Sequence, residues 1–442
     1  MVKNGLQLDD GSRVGVIGGG PAGSFFSIFL LDLADRMGMD IEVDVYEPRD
    51  YTRPGPVGCN MCGGIISESL VQNLAAEGIN LPPTVVQRGI DSYMLHMDVG
   101  SVRIETPLQE KRIGAVYRGP GPRDLKEVKW GSFDGYLQNL SIEKGAKVIN
   151  QRVDEILWED KKPQIKVRKG EPQPYDLVTI SVGVNSASRK LFSNLNFEYE
   201  TPKTTKTFIQ EYYLGEDQIQ EVLGSSMHVF LLDLPRLEFA AIIPKGDYVS
   251  VCLLGEDIDK ELISNFMNSP EVKAVFPPGW DFDAKSCNCS PRINIAGSKR
   301  PFDDRIVFIG DCGVTRLYKD GIGAAYRTAK SAATTAVLQG ISVQDFEEYY
   351  WPACRNINTD NMIGQVMFLV TRIIQGQRIA RRAVLRMTAN EQEEADSAKR
   401  MSMVLWDMFT GSAPYKEIFV RTLSPAFLAR LAGDLAISVT GR

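Results

Sequence analysis

Two sets of residues in this chain have types and spacings that do chemistry. The first is R-V-G-V-I-G-G-G-P-A-G-S at 13–24, in which Gly18, Gly20 and Gly23 follow an apolar run and open a helix-forming stretch. Glycine at the first position permits a tight turn, at the second lets backbone approach a pyrophosphate, and at the third lets helix pack on strand. A helix starting at Pro21 and Ala22 aims free N–H groups and a positive dipole end at the same phosphates. Glu47 ends the next strand-like run, I-E-V-D-V-Y, where a carboxylate accepts hydrogen bonds from a ribose 2′-hydroxyl. A free 2′-hydroxyl means FAD or NAD rather than NADP. Pro48 and Arg49, just beyond, belong to the same expected cofactor contact. The second set is thiols: Cys59-x-x-Cys62, Cys287-x-Cys289 and Cys312, five of the seven cysteines.

The elements that must position these residues are legible in outline. A chain of 442 residues is too long for one ordinary core, and 43% hydrophobic with 24% charged residues describes a globular protein. A net charge of −6 argues against nucleic acid as a partner. Seven cysteines are too few for a disulfide scaffold, and M-V-K-N-G-L-Q-L-D-D lacks a signal-peptide core, so the expected location is cytoplasmic. The two histidines, His96 and His228, read as surface or packed residues.

Along the chain, E-S-L-V-Q-N-L-A-A-E-G reads as a helix stopped at Gly78, and the stretch from Asp91 to Thr106 alternates as a strand. Val153 to Val167 reads as a hairpin around K-K-P. D-L-V-T-I-S-V-G-V-N-S at 176–186 and R-I-V-F-I-G-D-C-G at 305–313 read as buried parallel strands ending in turns. A strand-rich region, 204–254, includes F-L-L-D-L, and the last hundred residues read as helical.

Together, the fingerprint, the 176–186 segment and F-I-G-D-C-G…D-G-I-G resemble the FAD-dependent reductases and hydroxylases that share a glutathione-reductase-type fold. That likeness implies an α/β fold: a Rossmann-type FAD-binding domain, an inserted antiparallel α+β substrate domain and a helical C-terminal region. Expected boundaries are 1–90, 113–190 and 286–338 for the FAD domain, 91–112 and 191–285 for the substrate domain, and 339–442 for the helices. The resemblance implies that Gly310 and Asp311 meet the ribityl chain, and that Gly321, Ile322 and Gly323 present backbone to the flavin end and pyrophosphate. Within that superfamily the chain is most similar to the geranylgeranyl reductase branch, whose C-G-G motif matches Cys62-Gly63-Gly64 and whose F-D-x-x-L helix matches the segment from Phe133. Departures are Phe239, Ala241 and Ile243 where the branch has Tyr, Trp and Phe on its lipid-substrate side. Trp130 stands for an arginine, and Val182 for an aspartate.

The implied reaction is reduction of an isoprenoid carbon–carbon double bond. A flavin delivers hydride to one carbon, and an acid near it, Cys62 with Cys59 as neighbour, protonates the other. Three readings of the thiols stand side by side: small soft filling, a redox or proton-donating role, or a zinc or iron–sulfur site of Cys59, Cys62, Cys287 and Cys289. Alternatives to the lipid reductase are a quinone- or thiol/disulfide-linked flavoenzyme and an electron-transfer flavoprotein with a cysteine-ligated metal. The sequence has no second dinucleotide fingerprint, so the electron donor is external: ferredoxin, a quinol or NAD(P)H. The expected substrate is hydrophobic, an isoprenoid lipid or quinone. Residues 355–386 carry six arginines among Met, Ile, Val, Leu and Phe, a pattern for lying on an anionic membrane surface, on the inner face of the membrane.

Overall fold

A computed structural model describes residues 6–59, 62–106, 113–123, 125, 127–185, 191, 198–284, 286–394 and 398–439. The apolar run before the first glycine becomes the middle of a six-stranded sheet. Arg13–Ile17 lies between Glu42–Tyr46 and Leu177–Ile180, all parallel, with Val14 opposite Val43 and Leu177. Lys147–Ile149 and Ile306–Phe308 extend the two sides in parallel, and Phe302–Asp303 closes one edge antiparallel. Val14 and Val16 are fully buried. That is why this strand is apolar at every turn of the pleat: a parallel sheet is covered on both faces. Ser186, the last residue of the 176–186 motif, lies outside the described residues.

Pro21–Met37 follows the glycine turn as a helix and stops at Gly38, which adopts the left-handed conformation with φ 69°. Its partner is Gly321–Leu338, whose alanines at 324, 325, 329, 332 and 333 allow close packing. Phe25 meets Tyr326 edge-on at 5.6 Å. Phe133–Glu143, capped by the Ser132 side chain, packs against the first helix as well. Glu68–Ala76 starts at a Ser67 cap and ends just before Gly78, close to the sequence expectation.

A second, seven-stranded sheet runs in the order Cys287–Cys289, Phe208–Tyr213, Tyr248–Gly255, Leu237–Lys245, Ser226–Phe230, Ser92–Met97 and Gly100–Glu105. It is antiparallel except where Ser226–Phe230 lies parallel to Ser92–Met97. Two details differ from the sequence reading. The 91–106 stretch is a hairpin turned at Asp98 and Val99, not one strand. F-L-L-D-L is not a strand beyond Phe230, because Asp233 and Pro235 end the pairing that Ser226–Phe230 makes. Val153–Glu159 and Lys162–Val167 do form the expected hairpin. His96 and His228, on the two parallel strands, stack on each other with Nε2 and Nδ1 2.9 Å apart.

The C-terminal region is helical: Trp351–Gly376, Arg378–Glu393, Arg400–Thr410, Tyr415–Thr422 and Pro425–Val439. It covers one face of the second sheet, where Trp406 stacks on Tyr93 with ring centroids 5.6 Å apart. Among the described residues, no single helix is long and apolar enough to cross a membrane, although the last two helices, bent by 66°, pass that test together.

Candidate active site

The two sheets enclose a cavity of about 720 Å³ between the glycine turn and the apolar face of the second sheet. Its wall at one end is Gly18, Gly20, Pro21 and Ala22, with Glu47, Pro48 and Arg49 from the second strand's end. Gly18 has φ +104°, and a Cβ there would stand 2.6 Å from the Ser181 carbonyl oxygen, so only glycine serves. Gly23 does not reach the cavity. A Cβ on it would lie 2.0 Å from the Gly18 oxygen, so its role is the close approach of helix to strand.

Glu47, 2% exposed, is tied into the turn. One oxygen accepts from the Gly19 N–H at 2.8 Å and the Tyr51 hydroxyl at 3.1 Å, and the other accepts from the Arg49 N–H at 2.8 Å. A carboxylate has about four acceptor directions, so one is left for a hydroxyl in the cavity it lines.

The middle of the wall comes from Asp311, Gly321 and Ile322, together with Asn294 and Thr315. Burial pushes the Asp311 carboxyl upward, and Arg118 opposes that shift. The Asn294 amide donates to the Asp311 carbonyl at 2.8 Å, while Asn294 Oδ1 is buried with no hydrogen-bond partner and the Thr315 hydroxyl lies beside the Asp311 carboxylate. An orphaned buried polar atom is costly, and a polyhydroxylated ligand satisfies it. Gly310 and Gly323 stand behind this wall. Gly310, at φ +63°, packs on Ala22, and Gly323 abuts the Asp320 carboxylate.

The glycine cradle, the helix start, the spare Glu47 acceptor and this orphan together fit an adenine dinucleotide with a polyol chain. Arg118 was not anticipated. It lines the cavity and forks onto the Asp134 carboxylate at 2.7 and 2.9 Å. Trp130 packs at Gly246. Only the loop position of Arg118, without periodicity, hid it from sequence reasoning.

Cys62, Gly63 and Gly64 line the cavity opposite the glycine turn. The Gly64 N–H donates to Cys62 Sγ at 3.4 Å, and Gly64, at φ +72°, would place a Cβ 1.9 Å from the Val116 oxygen. Cys59 is half-buried and outside the cavity wall. Of the five thiols expected at the flavin, Cys62 lines the cavity and Cys59, Cys287, Cys289 and Cys312 do not. Cys312 turns away, donating to the Ile180 and Ile309 carbonyls inside an apolar cluster. Its place is taken by Cys252, whose sulfur packs 3.1 Å from where a Gly63 Cβ would stand.

Cys252 and Cys289 flank Ile209 on neighbouring strands, and burial pushes the Cys289 thiol up to about 12. Among the described residues no three His, Cys, Asp or Glu side chains sit at metal-binding spacing. Cys59, Cys62 and Cys287 all lie near enough to Cys289 to raise its thiol, but at no spacing that would hold a metal, and only Cys62 of the four reaches the cavity.

The far wall is apolar: Ile209, Met227, Phe239, Ala241, Ile243 and Leu254 from the second sheet, with Phe409 from a C-terminal helix. Phe239, Ala241 and Ile243, the departures from the lipid-side motif, all face this space.

Comparison with solved structures places the chain in a known fold. A geranylgeranyl bacteriochlorophyll reductase-like protein from Thermoplasma acidophilum superposes with TM-score 0.66 at 15% identity, over 94% of this chain and 99% of that one. The p-nitrophenol 4-monooxygenase PnpA from Pseudomonas putida DLL-E4 matches with TM-score 0.56 at 11% identity, covering 92% and 100%. A variant of the halogenase PltM in complex with FAD gives 0.58 at 12% identity, covering 98% and 92%. The fold is shared. No protein-family model matches the chain, and no curated protein matches it.

Proposed function

We propose that the chain is an FAD-dependent oxidoreductase that reduces carbon–carbon double bonds of an isoprenoid lipid. The observation that carries this reading is one cavity with two characters. Its polar end suits a dinucleotide, its apolar end suits a hydrocarbon chain, and Cys62 lines the same space beside Gly63, which packs on Ile243 and Cys252 of the apolar wall. FAD, when bound, supplies two-electron hydride chemistry.

The chain's own residues do the rest. Gly18, Gly20 and the helix start at Pro21 hold the pyrophosphate, Glu47 holds a ribose, and Asp311, Asn294 and Thr315 hold the polyol. Phe239, Ile243 and Phe409 exclude water from the apolar end. The Cys62 thiol holds a proton for the second carbon of the double bond, since an unactivated alkene offers no carbonyl to absorb charge. The external donor, ferredoxin, a quinol or NAD(P)H, has no resident domain in this chain and docks transiently.

The membrane belongs to the same reading. Met362, Val366, Leu369, Val370 and Ile373 recur on one face of Trp351–Gly376 and are about half or more exposed. The opposite face supplies Phe368, which meets the cavity-lining residues Phe239 and Tyr318. One helix thus joins an apolar outer surface to the cavity wall. Of the six arginines at 355–386, Arg372, Arg381 and Arg386 pair with Glu238, Asp98 and Asp434, leaving Arg355, Arg378 and Arg382 exposed beside that surface. An anionic inner-leaflet surface suits this combination.

Anaerobic mixing of dithionite-reduced, FAD-loaded protein with geranylgeranyl diphosphate tests the reaction. Two hydrogens gained per double bond, seen by mass spectrometry, support it, and an unchanged lipid with flavin still reduced removes it. The thiol cluster favours a second reading, a quinone- or thiol-linked flavoenzyme, which predicts flavin oxidation by a quinone or disulfide in the same cuvette.

A further inference from the structure

Behind the Cys62-Gly63-Gly64 loop lies a group of buried charges with no part in holding a dinucleotide. Lys245, fully buried at the end of its strand, has no hydrogen-bond partner for its ammonium. Its Nζ lies 3.8 Å from Glu211 Oε1 and 4.7 Å from the centre of the Tyr117 ring. Glu211 accepts from the Ser250 hydroxyl at 2.7 Å and the Tyr117 hydroxyl at 3.4 Å. Burial pushes the Glu211 carboxyl upward, against the pull of Lys245.

A lysine and a glutamate in the protein interior stabilise little, because desolvation offsets their attraction. Their position is more telling. A Cβ on Gly64 would stand 3.1 Å from Lys245 Nζ, and the N–H of the same glycine donates to Cys62 Sγ. One glycine therefore separates the ammonium from the thiol. On the other side, Glu211 lies opposite Cys287 on the partly exposed edge strand of the second sheet.

We propose that Tyr117, Glu211 and Lys245 form a proton path that reloads the Cys62 thiol from the solvent side of the second sheet. The proposal rests on the reading of Cys62 as the proton donor. In each cycle the S–H bond breaks as a C–H bond forms, leaving a thiolate. Lys245 gives up an N–H proton to that sulfur; the Tyr117 hydroxyl then hands a proton to the Glu211 carboxylate, which passes it to the Lys245 amine and restores the ion pair, and Tyr117 regains its proton from water. No electrons move along this path. The other titratable groups facing it are Cys252, Cys287, Cys289 and Tyr248, with Arg118 across the loop from Cys62.

The test uses the full chain loaded with FAD. Alkylation of Cys62 by iodoacetamide is followed by peptide mass spectrometry across the alkaline range. Lys245→Met raises the midpoint and Glu211→Gln lowers it, each by about half a pH unit or more, as expected for removing a neighbouring charge of either sign. The double variant Lys245→Met/Glu211→Gln keeps the packing without either charge and returns the midpoint toward wild type, which keeps the comparison available if a single variant folds poorly. With geranylgeranyl diphosphate, the variants retain the first turnover and lose roughly tenfold or more in later ones, because only the refilling of the acid is impaired. Unmoved midpoints, or first and later turnovers falling together, overturn the path. A wild type that binds FAD but never turns over this lipid removes the reductase reading instead, and the midpoints alone then judge the coupling.

Discussion

The carboxylate of Glu47 accepts the N–H of Gly19 at 2.8 Å, locking the end of the second strand to the middle of the glycine turn. The acid that would meet a ribose is thus also a strut of the phosphate cradle. Glu47→Ala leaves the Gly19 and Arg49 N–H groups without their acceptor and is expected to cost about 1–3 kcal/mol of stability. It is also expected to weaken FAD at least roughly tenfold, while Glu47→Gln, which keeps an acceptor oxygen, loses less. Thermal melts and titration of the apoprotein with FAD separate the two effects.

Arg118 and Asp134 make a forked pair in which the Asp134 side chain is fully buried. Arg118→Ala removes the forked partner of that buried carboxylate and is expected to destabilise by about 3 kcal/mol, with Arg118→Lys restoring only part, since a point charge does not match the fork. Urea denaturation of the three proteins reads this directly.

The thiols divide by environment. Burial raises Cys252, and pushes Cys289, Cys312 and Cys354 up to about 12, so at pH 8 these four are expected to resist alkylation. Cys62→Ser retains the yellow colour and loses lipid reduction, whereas Cys312→Ser retains both. Peptide mapping after brief alkylation, alongside turnover of the two variants, checks the assignment.

Acid stability is expected to follow the histidine pair. Burial lowers His96 to about 4, and burial together with His96 lowers His228 to about 3. The unfolded chain therefore binds protons that the folded chain refuses. Stability is full above pH 6.5 and falls as pH drops from there toward 4, by at most about 2.7 kcal/mol per pH unit for two sites. Replacing both imidazoles, His96→Leu with His228→Leu, flattens that limb in melts taken between pH 7 and pH 4.5.

Membrane contact has its own variant. Leu369 and Ile373, 52% and 59% exposed, contribute to the apolar face of Trp351–Gly376. Leu369→Asp/Ile373→Asp is expected to abolish flotation with anionic liposomes at low salt while leaving FAD binding and the melt unchanged. Flotation equal to wild type contradicts the membrane reading.

How much was legible beforehand follows from the range of each signal. The glycine turn, both flanking strands and the Glu47 position are local patterns, and the structure places Gly18, Gly20 and Glu47 on one wall because strand, turn and helix are consecutive. Arg118 and Cys252 were invisible for the opposite reason. Arg118 sits in an aperiodic loop, and its meaning comes from Asp134 on a distant helix. Cys252 reaches Gly63 only because Tyr248–Gly255 pairs with Leu237–Lys245 beneath the loop. Cys312 misled because sequence proximity to Asp311 says nothing of direction: the turn at 310–312 points its sulfur back into the sheet. The basic stretch at 355–386 likewise gave the arginines but not their partners: three of the six pair with carboxylates, and of these Arg381 is buried.

The central claim is that a flavin dinucleotide occupies the cavity between the two sheets. The most direct measurement is reconstitution of purified apoprotein with FAD, followed by gel filtration and an absorption spectrum, beside the Gly18→Val variant, whose side chain fills the cradle. Wild-type protein is predicted to elute yellow with about one FAD per chain and the variant colourless. A wild type that elutes colourless at saturating FAD contradicts the account.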